Sequence, residues 1–210
     1  VMADVNDMFN DITKEQSFYK VGEKKEITPY AKGEYLGHIT AVNSKIVDVQ
    51  GRFKARRYSY TFIVAPENKD KEFTYIDIDG KGKITKGDVY VGKKFYGTLW
   101  RFLEPSEKDT FESNSTGNNN YLRFCETIGV DCPKETKNID GQDIEIQILP
   151  SLSEDDFLGQ PVTAFIDLGK PWTNNKGERK QYWDCKFCKK WEGGTKQKIA
   201  GGKNNDEIPF

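Results

Sequence analysis

The chain has 210 residues, enough to bury one sizeable core or one core with a small satellite, and it is read as one domain with embellishments. Charged residues make up 31% and hydrophobic ones only 36%, while aromatics reach 13%, so the core must lean on Phe, Tyr and Trp. With 32 Lys and Arg against 33 Asp and Glu, the net charge of -1 excludes attraction of the whole molecule to a polyanion; only local segregation of charge can supply it.

Residues 1–30 are polar and weakly patterned, with Met8, Phe9 and Ile12 as anchors of a short helix or an extended arm. They lack the basic-then-apolar pattern of a secretory signal. No stretch approaches the roughly 20 apolar residues that span a bilayer, so the expectation is a soluble, cytoplasmic protein. At Gly33 the texture turns to β, with branched and aromatic residues over 35–42 and 46–49. Over 58–64, Tyr58, Tyr60, Phe62 and Val64 share one face by strand alternation. Further strands are predicted over 72–78, 94–100, 143–149, 161–168 and 180–187. Many short strands separated by Gly, Asn and Pro predict a mainly β protein built as a small barrel or sandwich over residues 31–192.

One segment breaks that pattern. Tyr121, Phe124, Cys125 and Ile128 follow helical spacing and Gly129 suits a left-handed cap, which predicts a short helix over 120–129. The preceding Ser- and Asn-rich residues 113–120 have little to bury and are read as a loop. From Gly193 to Phe210 the Gly, Lys, Gln and Asn content predicts a flexible tether.

Charge is segregated along the chain. Residues 49–66 carry Arg52, Lys54, Arg56 and Arg57 and no acid, and residues 170–191 carry 7 basic residues against Glu178 and Asp184. Residues 131–156 hold 8 acids against Lys134 and Lys137, so the negative charge sits elsewhere in the sequence.

The basic stretches are interleaved with aromatics on predicted strands. Arg52, Lys54, Arg56 and Arg57 run into Tyr58 and Tyr60. Lys93 and Lys94 precede Tyr96, Trp100 and Arg101. Trp172 leads through Lys176, Arg179 and Lys180 to Tyr182 and Trp183. Bases stack on such rings for about 1–3 kcal/mol each whatever the sequence, while Lys and Arg neutralise phosphates and release counterions. The pattern therefore predicts sequence-independent, salt-sensitive binding of single strands. If Tyr58, Tyr60 and Phe62 instead face inward, then Arg57, Ser59 and Thr61 face out and stacking passes to other strands.

The chain ends in Asp206, Glu207, Ile208, Pro209 and Phe210 after the tether. A terminal Phe can fill an apolar pocket while its carboxylate and the neighbouring acids meet basic groups, and Pro209 limits the entropy lost on docking. This end resembles the acidic Ile-Pro-Phe tip of bacterial single-stranded-DNA-binding proteins and the acidic, Phe-ended tails of phage DNA-binding proteins, although two acids are fewer than those families usually carry. The rest of the chain is similar in texture to small phage replication or recombination proteins. That likeness rests on Gly33-Glu34-Tyr35, Gly92-Lys93-Lys94, the Leu122-Arg123-Phe124-Cys125 helix, Gly141-Gln142 and Gly159-Gln160-Pro161-Val162. The resemblance implies an OB-like antiparallel β-barrel that coats single-stranded DNA in phage replication, repair or recombination, in the cytoplasm of the host cell. It implies a tail that recruits a polymerase, primase, helicase or nuclease. The alternative is a recombination mediator or protein-interaction adaptor.

Cys185 and Cys188 have the two-residue gap that lets both thiolates reach one ion, and Cys125 with Cys132 would complete a tetrahedral site for a structural zinc. No cofactor is otherwise expected. Asp77, Asp79, Gly82 and Asp88 match positions of a calcium-binding loop, but Lys81 places a cation where a ligand oxygen belongs, so a hairpin turn is expected there. Signals for an enzyme are thin. The remaining one is a metal-dependent nuclease using Asp140, Asp143 and Glu145, which alternate with isoleucines as an exposed strand face would.

Overall fold

The computed structural model describes residues 28–49, 53–102 and 115–199; residues 1–27 of the N-terminal arm, Arg52 and the five-residue tip at 206–210 lie outside the described residues. Branched and aromatic residues at alternate positions build five long strands: β1 (Gly33–Val49), β2 (Phe53–Val64), β5 (Lys94–Phe102), β8 (Pro161–Leu168) and β11 (Trp183–Lys190). They close into a barrel in the order β1-β2-β5-β11-β8. This is the OB-like barrel, with one difference from an all-antiparallel sheet. β5 and β11 run parallel, pairing Tyr96 with Asp184 and Gly97 with Cys185. The chain leaves β5, returns through β8 and turns once more, so β11 reaches β5 from the same direction.

Three two-stranded hairpins decorate the barrel. They are β3–β4 (Glu72–Ile76 and Gly82–Lys86), β6–β7 (Lys134–Ile139 and Gln142–Gln147) and β9–β10 (Trp172–Thr173 and Arg179–Lys180). The strand expected over 143–149 is thus the second arm of a hairpin outside the barrel. The segment with calcium-loop spacing is the expected turn: the Asp77 carboxylate accepts the N–H groups of Asp79 (3.0 Å) and Lys81 (2.8 Å) and pairs with Lys83 at 3.1 Å. Those backbone N–H groups, Lys81 first, hold the Asp77 carboxyl below its usual range.

The inward rows are aromatic, as the composition requires. Tyr35, Ile39, Tyr58, Phe62, Phe95, Val162 and Ile166 are buried in the core. Two helices close it. The first, α1 (Ser115–Thr127), packs on β5 and β11. It starts earlier than the sequence predicts, and residues 115–120 are helical rather than loop. The Asn118 side-chain oxygen accepts the Phe102 N–H at 3.1 Å, and Gly117 lies so close under the Phe102 ring that a Cβ there would come within 2.2 Å of it. Packing on β5 overrides the weak helix propensity of Gly and Asn. The second helix, α2 (Glu154–Phe157), is a single turn whose Ser153 N–H donates to the Asp156 carboxylate at 2.7 Å, and it drives Phe157 into the core. No helix among the described residues is long and apolar enough to cross a membrane.

Asn68 pins the connection after β2. It is fully buried, donating to the carbonyls of Leu36 (2.7 Å) and Ala65 (2.8 Å) and accepting the Leu36 N–H at 3.0 Å. Asn68→Ala should leave that N–H without its partner and cost about 1–3 kcal/mol, read as a lower urea midpoint with an unchanged slope.

Candidate nucleic-acid interface

Strand alternation puts Lys94, Tyr96, Thr98, Trp100 and Phe102 in one outward row on β5. At about 3.4 Å per residue the row is roughly 27 Å long. Trp100 is its centre of charge and stacking. It is half-buried, stacks on Phe102 with centroids 6.4 Å apart and planes 17° apart, and carries the Arg57 guanidinium over its ring at 5.9 Å. Arg57 is brought there by register, since β5 pairs it with Trp100 on one side while β1 pairs it with exposed Lys45 on the other. Exposed Lys54 follows along the same hairpin, opposite Asp48. Arg56 and Arg101 face each other on the opposite side of the two strands, and Arg101 donates to the Leu149 carbonyl at 2.9 Å. Alternation therefore turns these two away from the Trp100 row.

Beyond Trp100 the sheet splits. β5 and β11 share only two paired positions, then diverge around α1, leaving a cleft of about 730 Å³. Trp100 and Thr98 form its β5 wall, and Asn120, Arg123, Glu126 and Thr127 its helical wall. The third wall is β11, with Lys186, Phe187, Lys189 and Lys190. Four cations thus face one acid. Lys186 pairs with Asp184 (3.2 Å), Lys190 with Glu192 (3.4 Å) and Lys189 with Glu34, whereas exposed Arg123 has no ion pair among the described residues. Such exposed pairs are worth little, so a phosphate can displace their acids. Phe187 is 43% exposed and stacks on Phe165 at 5.0 Å and 13°, offering a flat apolar face at the cleft rim.

Arg123, Lys186, Phe187, Lys189 and Lys190 are cleft residues that the sequence reading did not single out. Their signal was present: Lys-Phe-Cys-Lys-Lys lies in the second basic stretch. Strict alternation, however, would scatter these side chains over both faces. A register shift between Cys185 and Phe187 breaks the alternation, turning Cys185 and Cys188 inward and leaving Lys186 and Phe187 outside.

The other predicted residues gather at the opposite end of the barrel, where β5 and β11 begin. Lys93 and Lys94 are exposed and Tyr96 is half-buried opposite Asp184. Between β8 and β11 the β9–β10 hairpin presents Trp172 and Tyr182, 41% and 43% exposed, with ring centroids 6.3 Å apart. Lys176 and Arg179 are exposed beside them, and Lys180 pairs with Glu178 at 3.4 Å. Trp183 departs from this group, packing half-buried against Tyr30 at 6.2 Å and the core.

Tyr58 and Tyr60 require a correction. Both face inward with 0% and 3% exposure, so neither ring is open to a base in this fold; the outward rings lie instead on β5, on β11 and at the β9–β10 hairpin. The Tyr58 hydroxyl donates to the Leu152 carbonyl at 2.9 Å. The Tyr60 hydroxyl donates to Cys185 Sγ at 3.3 Å and lies 3.5 Å from Cys188 Sγ, beneath the cleft. Burial, followed by the two sulfurs, pushes the Tyr60 phenol well above its ordinary range. The ring has room only because residue 97 on β5 lacks a side chain: a Cβ there would lie 2.2 Å from Tyr60 Cζ. Gly97→Ala should therefore destabilise the fold by about 1–3 kcal/mol through overpacking, measured by thermal melting, whereas Gly97→Ala with Tyr60→Leu should recover part of the loss.

The four cysteines stand as two pairs rather than one four-sulfur cluster. Cys185 and Cys188 Sγ are 3.6 Å apart, while buried Cys125 lies beside Cys132, its thiol pushed up to about 12 by burial first and then by Cys132. Among the described residues no group of three or more His, Cys, Asp or Glu side chains is placed to hold a metal ion. His38, the sole histidine, is buried against Trp191 and the Thr195 carbonyl. Asp140, Asp143 and Glu145 belong to the β6–β7 hairpin, where Asp143 accepts from Asn138 (2.8 Å) and Glu145 pairs with Lys134 (3.0 Å). Comparison with protein-family models, curated proteins and solved structures finds no match to this chain.

Proposed function

We propose that this protein binds single-stranded DNA without sequence preference, along the outer row of β5 and into the cleft beside α1. The observation that carries this reading is Trp100, an outward ring with a guanidinium over it on one side and a cation-lined, apolar-walled cleft on the other. Rings in that setting stack on any base, and the surrounding Lys and Arg take the phosphates. OB-like barrels bind oligonucleotides on the face of their second and third strands, here β2 and β5, and with the loops after the first and fourth. Those loops are the tip of the β1–β2 hairpin and the segment holding Trp172, Arg179 and Tyr182. In this reading the protein does no covalent chemistry. The five-residue acidic end, Asp206 to Phe210, recruits replication or recombination proteins, as the bacterial and phage tails it resembles do.

The deciding experiment is a salt titration of full-length protein against oligothymidine and a mixed-sequence oligomer, followed by tryptophan fluorescence. Quenching with equal affinity for both oligomers, falling linearly in log-log form as salt rises, is expected. No quenching and no gel shift in dilute buffer would sink the proposal. Removing residues 206–210 should leave this titration unchanged while abolishing capture of the partner; loss of DNA binding on deletion would overturn the division of labour.

A further inference from the structure

Cys185 and Cys188 are separated by Lys186 and Phe187; Lys186, Phe187 and Cys188 line the cleft, and Cys185 lies behind Cys188. On a regular strand, residues three apart face opposite sides. The register shift in β11 instead turns both sulfurs inward, 3.6 Å apart. Cys188 lines the cleft and is 8% exposed, whereas Cys185 does not line it, so a small solute in the cleft meets Cys188 before Cys185. Nothing in the DNA-binding scheme uses these thiols.

We infer that Cys185 and Cys188 form a reversible dithiol–disulfide site, with a hydroperoxide as oxidant, that resets the cleft. The Cys188 thiolate attacks one oxygen of hydrogen peroxide, the O–O bond breaks, and a sulfenic acid forms as hydroxide leaves and takes up a proton. The Cys185 sulfur then attacks the Cys188 sulfur, and the hydroxyl departs as water with the Cys185 proton. Two thiols and one peroxide thus give one disulfide and two waters. Closing the sulfurs from 3.6 Å to the roughly 2.05 Å of a disulfide draws in both ends of the Lys186-Phe187 bulge and takes the Tyr60 hydroxyl's acceptor. Lys186 and Phe187 are the cation and the ring that β11 offers the strand, so oxidation changes DNA affinity; this second half rests on the proposed function.

The test treats full-length protein with hydrogen peroxide in small excess and measures intact mass, free thiols, peptide linkage and oligothymidine affinity, before and after dithiothreitol. The expected result is a mass lower by two hydrogens, a Cys185–Cys188 linkage, and an affinity change of about fivefold or more, the weight of one stacked ring, that dithiothreitol reverses. The Cys125→Ser/Cys132→Ser variant should respond in the same way, and Cys185→Ser should not. Added oxygen without loss of two hydrogens, a linkage at Cys125–Cys132, or one zinc per chain held by these thiols would overturn the site. A reversible disulfide with unchanged affinity would overturn the coupling. If reduced protein never binds oligothymidine, the DNA-binding reading falls, while the mass and linkage still decide the dithiol.

Discussion

Trp100→Ala should weaken oligothymidine binding about 5- to 150-fold, the equivalent of about 1–3 kcal/mol for one stacked base. Trp100 faces outward beside the cleft, with the Arg57 guanidinium over its ring and Phe102 packed next to it, so its ring is held ready at little entropic cost. Its removal exposes the Phe102 face but opens no core cavity, and the melting temperature should move little. The charge-reversed pair Lys186→Glu/Lys190→Glu separates the second contribution. Each lost phosphate contact should flatten the log-log salt slope by about 0.7, so the pair flattens it by about 1.4. Fluorescence anisotropy at several salt concentrations reads both effects. Unchanged affinity in Trp100→Ala together with an unchanged slope in the lysine variant would remove the cleft from the binding site, and Trp172→Ala then tests whether the β9–β10 hairpin carries the contact alone.

Much of the barrel was legible because its cause is local. In 58–64 the two-residue alternation of Tyr58, Tyr60, Phe62 and Val64 marks a strand whatever lies around it, and the structure buries all four. The same segment shows where local reading stops. Alternation says that Tyr58 and Tyr60 share a face, but only the closed barrel says that the face is inward. The cleft was hidden for a different reason. Lys186, Phe187, Lys189 and Lys190 were visible as a basic stretch, but an irregularity in register against β8 sets their directions, and Arg123 joins them only because α1 packs where β5 and β11 separate. The helix start was missed because its stabilisation comes from outside the helix, through Asn118 and the Phe102 ring above Gly117.

The largest effect on stability is expected at Phe157. The one-turn helix α2 is too short to persist alone, and Phe157 anchors it in the barrel. The ring is 0% exposed, with centroids 4.7 Å from Phe124 and 4.9 Å from Tyr58, and it is tilted against Tyr60 at 6.2 Å. Phe157→Ala removes the shared partner of three aromatic side chains from two elements, and β2 and α1 cannot collapse onto the space without breaking their own pairing. The cost should be about 3–5 kcal/mol, against a typical total stability of about 5–15 kcal/mol. Urea unfolding followed by circular dichroism measures it as a shift in midpoint at constant slope. Because Phe124 and Tyr60 also border the cleft, the substituted protein should lose oligothymidine affinity even where it remains folded. Phe157→Leu, which keeps most of the volume, should recover most of both losses; equal damage from Leu and Ala would mean that ring stacking, rather than filled space, holds this end of the barrel closed.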